Sequence, residues 1–402
     1  MLSACIIVKN EQDNLPRCLA SLTDVASEIV VVDTGSSDNS QAVALSFGAK
    51  IYELPWTEDF SAARNFSLTK AQNPWAIVID ADEELDKESR HSLATLLPET
   101  PFDAFSVQIR NYLGNSTCPE VMVGTSIRLF RTNKGYTFRG RVHEDITPSI
   151  VELGGRIGQT GIVIHHFGYL TQNAQNEPRF DRNVRLLKAQ LDANSNDGIS
   201  WFYLGTEYFV AERHAEALEC YARAIDLVDT KSSIRPRLLR NTVESFRRIG
   251  QLDKGYELVL KALREYPDYP DLWFLRGVIE EDLKDLSGAL ASLRKATALE
   301  CPAIYETNIT ATREKANLRA AAILLKQGKY AESLEHVMHV LGANPRQVSA
   351  YPLAIHACLS LGHLELALDL LKSAVNIEPS LRDQLGSIAD KIARLRSRLE
   401  QH

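Results

Sequence analysis

A register of small residues recurs through the second half of the chain. Ala217, Gly255, Ala289, Ser333 and Ala367 stand 38, 34, 44 and 34 residues apart. A second register follows each of them at Ala224, Ala262, Ala296, Val340 and Ala374, and prolines close four of the units at Pro267, Pro302, Pro345 and Pro379. A unit of about 34 residues is one helical hairpin, too small to bury its apolar face alone. Small residues at fixed places let the two helices of a hairpin approach closely. Such a chain has one way to build a core, which is to stack the hairpins into a solenoid.

Trp201, Leu204, Gly205 and Tyr208 match the W-x2-L-G-x2-Y opening of a tetratricopeptide repeat (TPR), with Ala217, Tyr221 and Ala224 at its second-helix positions. The reading is about five repeats over residues 181–380, the fourth degenerate and preceded by an insert that lengthens a helix or loop. A polar capping helix is expected over 381–402. Trp201, Tyr208, Tyr221 and Trp273 read as packing residues.

Up to about residue 170 the pattern differs. Apolar runs at Leu2–Val8, Glu28–Val32, Lys50–Tyr52 and Trp75–Ile79 alternate with helical stretches at Asn14–Ser21, Asn39–Phe47 and Phe60–Ala71. Continuous Val/Ile strands are those of a parallel sheet covered on both faces. Residues 104–166 are strand-rich, with candidates at Phe105–Arg110, Ser126–Phe130 and Ile162–His165. The expected division is an α/β domain over 1–180, then the repeats.

In open α/β sheets ligands bind beyond the carboxyl ends of the strands. Strand one ends in Val8-Lys9-Asn10-Glu11, strand two in Asp33-Thr34-Gly35-Ser36-Ser37-Asp38. A carboxylate at Asp33 can accept from a base N–H or a ribose hydroxyl, and the turn amides suit polar or anionic groups. After the fourth strand comes Asp80-Ala81-Asp82-Glu83-Glu84. Two carboxylates at a buried strand end are costly unless something positive is bound. A hard divalent cation, Mg2+ or Mn2+, satisfies them and can bridge a diphosphate. Glu83 and Glu84 belong either to that site or to the start of the next helix.

These segments, together with Trp56-x-x-Asp59-Phe60-x-x-Ala63-Arg64-Asn65, resemble family 2 glycosyltransferases of the GT-A fold. The subgroup that fits couples the domain to TPR repeats and includes SunS-like peptide S-glycosyltransferases. WaaE-type lipopolysaccharide-core glucosyltransferases share much of the catalytic pattern. The resemblance implies an α/β GT-A nucleotide-sugar-binding domain followed by an all-α TPR solenoid. It implies that Val8, Lys9, Asn10, Glu11 and Asp33, with Gly35 and Ser36, surround the nucleotide. Trp56, Phe60, Arg64 and Asn65 would line the donor pocket, and a guanidinium there can pair with a diphosphate. Asp82 would bind metal, with Asp80 and Ala81 near the ribose or metal. Val142-His143-Glu144-Asp145 resembles the family segment ending in His-Glu. An inverting transfer needs a base near the acceptor, so Glu144 is the candidate, with Asp145 second. His165-His166-Phe167-Gly168-Tyr169 resembles a His-x-Gly-Tyr segment, and His166 rather than His165 is expected to complete the metal shell.

The expected partners are a nucleotide-sugar donor, UDP-linked, and a peptide or protein acceptor held with help from the repeats, which could also form a homodimer. A lipid-linked glycan acceptor is the alternative, as is an adaptor whose transferase domain is degenerate. The nucleotide-type motifs end before residue 181, so the repeats are expected to be dispensable for donor hydrolysis. No P-loop, GxGxxG, nucleophile elbow or HExxH motif occurs. A net charge of −7 argues against a general nucleic-acid binder, and no apolar run approaches the roughly 18 residues of a membrane span. The six cysteines are dispersed and form no CxxC pair, so they read as inert thiols. The chain opens on a strand-like run without a basic leader segment, from which a cytoplasmic location is expected.

Overall fold

The computed structural model describes residues 1–97, 100–170, 176–300, 302 and 304–380. The expected capping helix at 381–402 lies outside the described residues, as does Cys301. By compactness the chain forms two units. One holds Met1–Ser245 and a short stretch ending at Glu306; the other starts at Phe246.

In the first unit the apolar runs become strands β1 (Leu2–Val8), β2 (Glu28–Asp33), β3 (Lys50–Glu53) and β4 (Trp75–Val78). Three more follow β5 (Glu83–Leu85): β6 (Ala104–Gly114), β7 (Glu120–Arg131) and β8 (Ile157–Leu170). Their order is β3-β2-β1-β4-β7-β6-β8-β5. The β3-β2-β1-β4 portion is parallel, and β7 pairs antiparallel with both β4 and β6. β1 is flanked by β2 on one side and β4 on the other, so the chain changes direction of winding there. The carboxyl ends of β1, β2 and β4 share one edge at that switch point, the place where such sheets bind ligands.

β1, β2 and β4 are buried nearly throughout, because helices α1 (Leu15–Ala20), α2 (Ser40–Ser46) and α3 (Phe60–Lys70) pack on the sheet. β6–β8 run past the expected ends; their outer parts are mostly half-exposed, so no buried apolar run marks them in the sequence. Glu83 and Glu84 do not begin a helix. They form β5, which pairs with β8, and Asp86 starts the next helix, α4 (Lys87–Leu96), by accepting from the Glu88 and Ser89 amides. α5 (Thr147–Glu152) precedes β8.

Helices α6 (Asn176–Ala193), α7 (Gly198–Val210) and α8 (His214–Leu227) also belong to the first unit. Leu186, Leu187, Phe202 and Tyr221 bury Val142 and cover Phe60 of the α/β part. The division by compactness therefore falls well beyond the change in sequence pattern near residue 180.

α9 (Arg235–Arg248) precedes the hairpins of the second unit. After α10 (Leu252–Glu265) these are α11 (Pro270–Asp282) with α12 (Leu286–Ala298), α13 (Ala316–Lys326) with α14 (Tyr330–Ala343), and α15 (Ala350–Leu361) with α16 (Leu364–Ile377). The small-residue registers are buried at Ala217, Ala289, Ser333 and Ala367 and again at Ala224, Ala262, Ala296, Val340 and Ala374. The insert before the degenerate repeat forms a π-helical turn, Thr310–Lys315, that lengthens α13. Trp201, Trp273 and Tyr351 each donate to the carbonyl six residues earlier, at Ser195, Pro267 and Pro345. The aromatic positions thus lock the turn into the hairpin. Cys5, Cys18, Cys220 and Cys358 are buried free thiols, and burial pushes Cys5 up to about 12.

Candidate active site

The loops after β1 and β2 are zipped together. Asn10 takes a left-handed conformation, φ 59°. Its amide donates to Ser36 Oγ at 3.0 Å, and its Oδ1 accepts from the Ser37 amide at 2.7 Å. The Glu11 amide donates to Ser40 Oγ at 2.8 Å. Gly35, at φ 105°, supplies the turn that few other residues could make. Asp33 is buried and organises this turn: Oδ1 accepts from the Gly35 and Ser36 amides at 2.9 and 2.8 Å, and Oδ2 from Gln41 at 2.7 Å. Burial opposes its ionisation, but these three donors outweigh it and hold the carboxyl below its usual pKa. Lys9 is exposed at the rim, while the Val8 and Ala81 side chains are in the core. Burial and the nearby Asp82 and Asp80 charges hold Glu11 above its ordinary pKa.

Asp80 and Asp82 leave β4 in different directions. Asp80 Oδ1 accepts from Arg64 Nη2 at 2.6 Å, and its Oδ2 from Arg128 at 3.3 Å. The same Arg128 nitrogen donates to the buried Glu83 at 2.9 Å, and Glu83 in turn accepts from the Asp80 amide at 2.8 Å. Arg64 Nε donates to Glu144, so one guanidinium spans the carboxylate pair and the loop after β7. Arg64 Nη1 and Arg128 Nε are buried with no partner among the described residues.

Asp82 faces β8. Its Oδ2 lies 3.3 Å from His166 Nε2, and His166 Nδ1 lies 2.7 Å from Asn111 Oδ1. Burial disfavours protonation of His166, but Asp82 and the Glu83 and Asp80 charges reverse the balance and raise its pKa. A Cβ on Gly168 would overlap Asp82 Oδ2 and lie 2.8 Å from His166 Nε2, so glycine is what lets these two side chains pack here. His165 is on the opposite face of the strand, between Tyr112 and Asp86. Among the described residues no three His, Cys, Asp or Glu side chains converge as a metal cluster.

Trp56 and Phe60 meet edge to face with centroids 4.7 Å apart. Asn65 is bound to the chain beyond β7. Its amide exchanges two hydrogen bonds with the Phe138 backbone, at 2.8 and 3.0 Å, as a neighbouring strand would. Asp145 is exposed and accepts from the Thr147 amide and hydroxyl at 2.8 and 2.6 Å, which starts α5. Glu144 is thus the carboxylate of the pair that meets the Asp80 array. Arg128 escaped the sequence reading, which left Glu83 open between the site and a helix start, although an arginine amid strand residues was a visible signal of a buried acid nearby.

Residues 3–149 match glycosyl transferase family 2, and residues 241–300 match a tetratricopeptide repeat. A TPR repeat-containing protein of Synechococcus elongatus is 32% identical over 274 residues, 66% of this chain and 67% of that one. The SPbeta prophage-derived glycosyltransferase SunS of Bacillus subtilis is 27% identical over 295 residues, 72% of this chain and 68% of that one. The lipopolysaccharide core biosynthesis glycosyltransferase LpsC of Rhizobium meliloti is 39% identical over 176 residues, 41% of this chain and 62% of that one. Fold and site together define a sugar-transferring α/β domain joined to helical repeats. The chain belongs to glycosyl transferase family 2 and is a glycosyltransferase that carries TPR repeats.

Proposed function

We propose that the chain is an inverting, metal-dependent glycosyltransferase that moves a sugar from a UDP-sugar to a peptide or protein acceptor. The observation that carries this reading is the Arg64 guanidinium, bonded at once to Asp80 and to Glu144. It joins the carboxylate pair expected at the donor to the carboxylate expected at the acceptor. In the proposed step Glu144 takes the proton of the acceptor hydroxyl or thiol. The oxygen or sulfur bonds to the anomeric carbon, and the diphosphate leaves from the opposite face with the bonding electron pair.

Mg2+ or Mn2+ is assigned to the side of Gly168 on which Asp82 and His166 meet. Asp82 would hold it with His166 alongside, leaving positions for phosphate oxygens and water, the usual habit of Mg2+ with nucleotide substrates. It would supply positive charge at the departing diphosphate. The unpartnered N–H groups of Arg64 and Arg128 suit the same anion. Lys9, Asn10, Glu11 and the Asp33–Ser36 turn, with Trp56 and Phe60, are assigned to the donor.

The working division keeps 1–180 as the catalytic domain and 181–380 as repeats. The repeats are assigned to the acceptor, with a homodimer through them as the other use, and the reaction to the cytoplasm. Among the described residues no helix is long and apolar enough to cross a membrane. The similarity to LpsC, 39% identical over 176 residues, favours a second reading, a lipopolysaccharide or lipid-linked glycan acceptor. The test is hydrolysis of a UDP-sugar panel with and without Mn2+, then mass spectrometry of co-purifying peptides. Metal-independent hydrolysis removes the cation from the scheme. Transfer to a lipid-linked glycan but to no peptide selects the second reading.

A further inference from the structure

The loop that carries Glu144 is anchored from two sides. α3 supplies one side: Asn65 grips Phe138, Ser61 Oγ donates to the Gly140 carbonyl at 2.5 Å, and the Phe60 amide donates to the Arg141 carbonyl at 2.9 Å. The helices beyond the sheet supply the other. The Arg141 amide donates to Gln190 Oε1 of α6 at 3.1 Å, and Val142 is buried against α6 and α7.

His143, directly before Glu144, is held most tightly. It has φ 54°, a conformation disfavoured for a residue with a Cβ, so its neighbours must impose it. Its ring stacks on Tyr203 of α7 with centroids 4.1 Å apart and planes 10° apart. Its Nε2–H donates to Glu207 Oε1 at 3.1 Å, and the same oxygen accepts from Asn183 of α6 at 2.9 Å. The Glu207 side chain is only 14% exposed. A strained backbone needs such over-determination to persist. The residue that follows is the one bonded to Arg64.

We propose that Glu207, on the first repeat helix, is a positioning residue for the transfer. Through His143 it fixes the backbone from which Glu144 reaches the site. The inference rests on the reading of Glu144 as the base. It reverses the expectation that the repeats are dispensable for donor hydrolysis, since α7 anchors the loop that carries Glu144.

The test is steady-state hydrolysis of UDP-glucose or UDP-N-acetylglucosamine with Mn2+ by the full chain, alongside UDP affinity by calorimetry. Glu207→Ala should lower kcat roughly 100-fold, the scale of a small misplacement of a reacting group, with UDP affinity unchanged. Glu207→Gln, which still accepts from His143 and Asn183, should stay within about threefold of wild type. In a Glu144→Gln background Glu207→Ala should add less than about twofold, because the group it positions is gone. His143→Gly, which relieves the strain and frees the loop, should reproduce the kcat loss if Glu207→Ala does not fold. Wild-type turnover in Glu207→Ala or His143→Gly, or equal losses in both backgrounds, overturns the inference alone. Wild-type turnover in Glu144→Gln overturns the base reading and the inference with it.

Discussion

Arg64 Nη2 stands 2.6 Å from Asp80 Oδ1 on a guanidinium only 7% exposed. Burial disfavours both charges, yet each stabilises the other. Asp80, with Arg128 as a second partner, is held well below the usual carboxylate range, and Arg64 well above its own ordinary value. Removing one member leaves the rest buried and uncompensated, typically a loss of 3–5 kcal/mol. Arg64→Met should therefore lower unfolding free energy by about 3 kcal/mol in urea titrations, and pairing it with Glu144→Gln should recover part of that. A loss under about 1 kcal/mol would mean that Asp80 and Glu144 are well solvated without Arg64.

Asp82 Oδ2 and His166 Nε2 occupy the space that a side chain at residue 168 would fill. Gly168→Ala should weaken Mn2+-dependent UDP binding by about tenfold or more, since added volume there displaces the pair proposed to hold the cation. Gly161→Ala is the control on the same strand, where a Cβ meets nothing within 4 Å. Calorimetry with UDP and Mn2+ reads both variants. Equal affinity in the two would move the cation elsewhere.

The parallel part of the sheet was legible because its strands are uninterrupted apolar runs between turn residues. Leu2–Val8 is a strand over those same residues. β5 was not, because Glu83 and Glu84 hide a strand whose buried acid is stabilised by Arg128, 45 residues away. The position of Asp82 beside His166 followed from two readable motifs meeting at one sheet edge. The contacts of Asn65 and Glu207 were illegible for a different reason. Their partners, Phe138 and His143, lie 73 and 64 residues away, and a hydrogen-bonding side chain announces no particular distant backbone.

Acid should reach the nucleotide-side turn in a definite window. The folded Asp33 carboxyl lies below its ordinary 3.8, so the turn contributes stability above that value. The contribution falls as pH drops through the folded pKa, where the carboxylate must be protonated to remain buried. Asp33→Asn should be less stable at pH 7, and its stability should change less below pH about 4 than that of wild type. Urea midpoints measured from pH 3 to 7 check this. Parallel curves for the two proteins would mean that the carboxylate is equally solvated in both states.

The helical repeats offer a test of opposite signs at two glycines. A Cβ at Gly205 would lie 2.6 Å from ring carbons of Tyr221 on the facing helix. That ring is fully buried, and its hydroxyl accepts from Asn241 at 3.2 Å, so it cannot retreat without breaking contacts on its far side. Gly205→Ala should destabilise by about 1–3 kcal/mol, the usual cost of overpacking a dense core. Gly342, in helix α14, is exposed and meets nothing within 4 Å. Gly342→Ala should stabilise by about 0.4–1 kcal/mol, because alanine loses less backbone freedom on entering a helix. Urea unfolding of the two variants separates the effects. A neutral Gly205→Ala would show that helices α7 and α8 can part by half an ångström or so without loss, and close approach would no longer explain the small residue at that position.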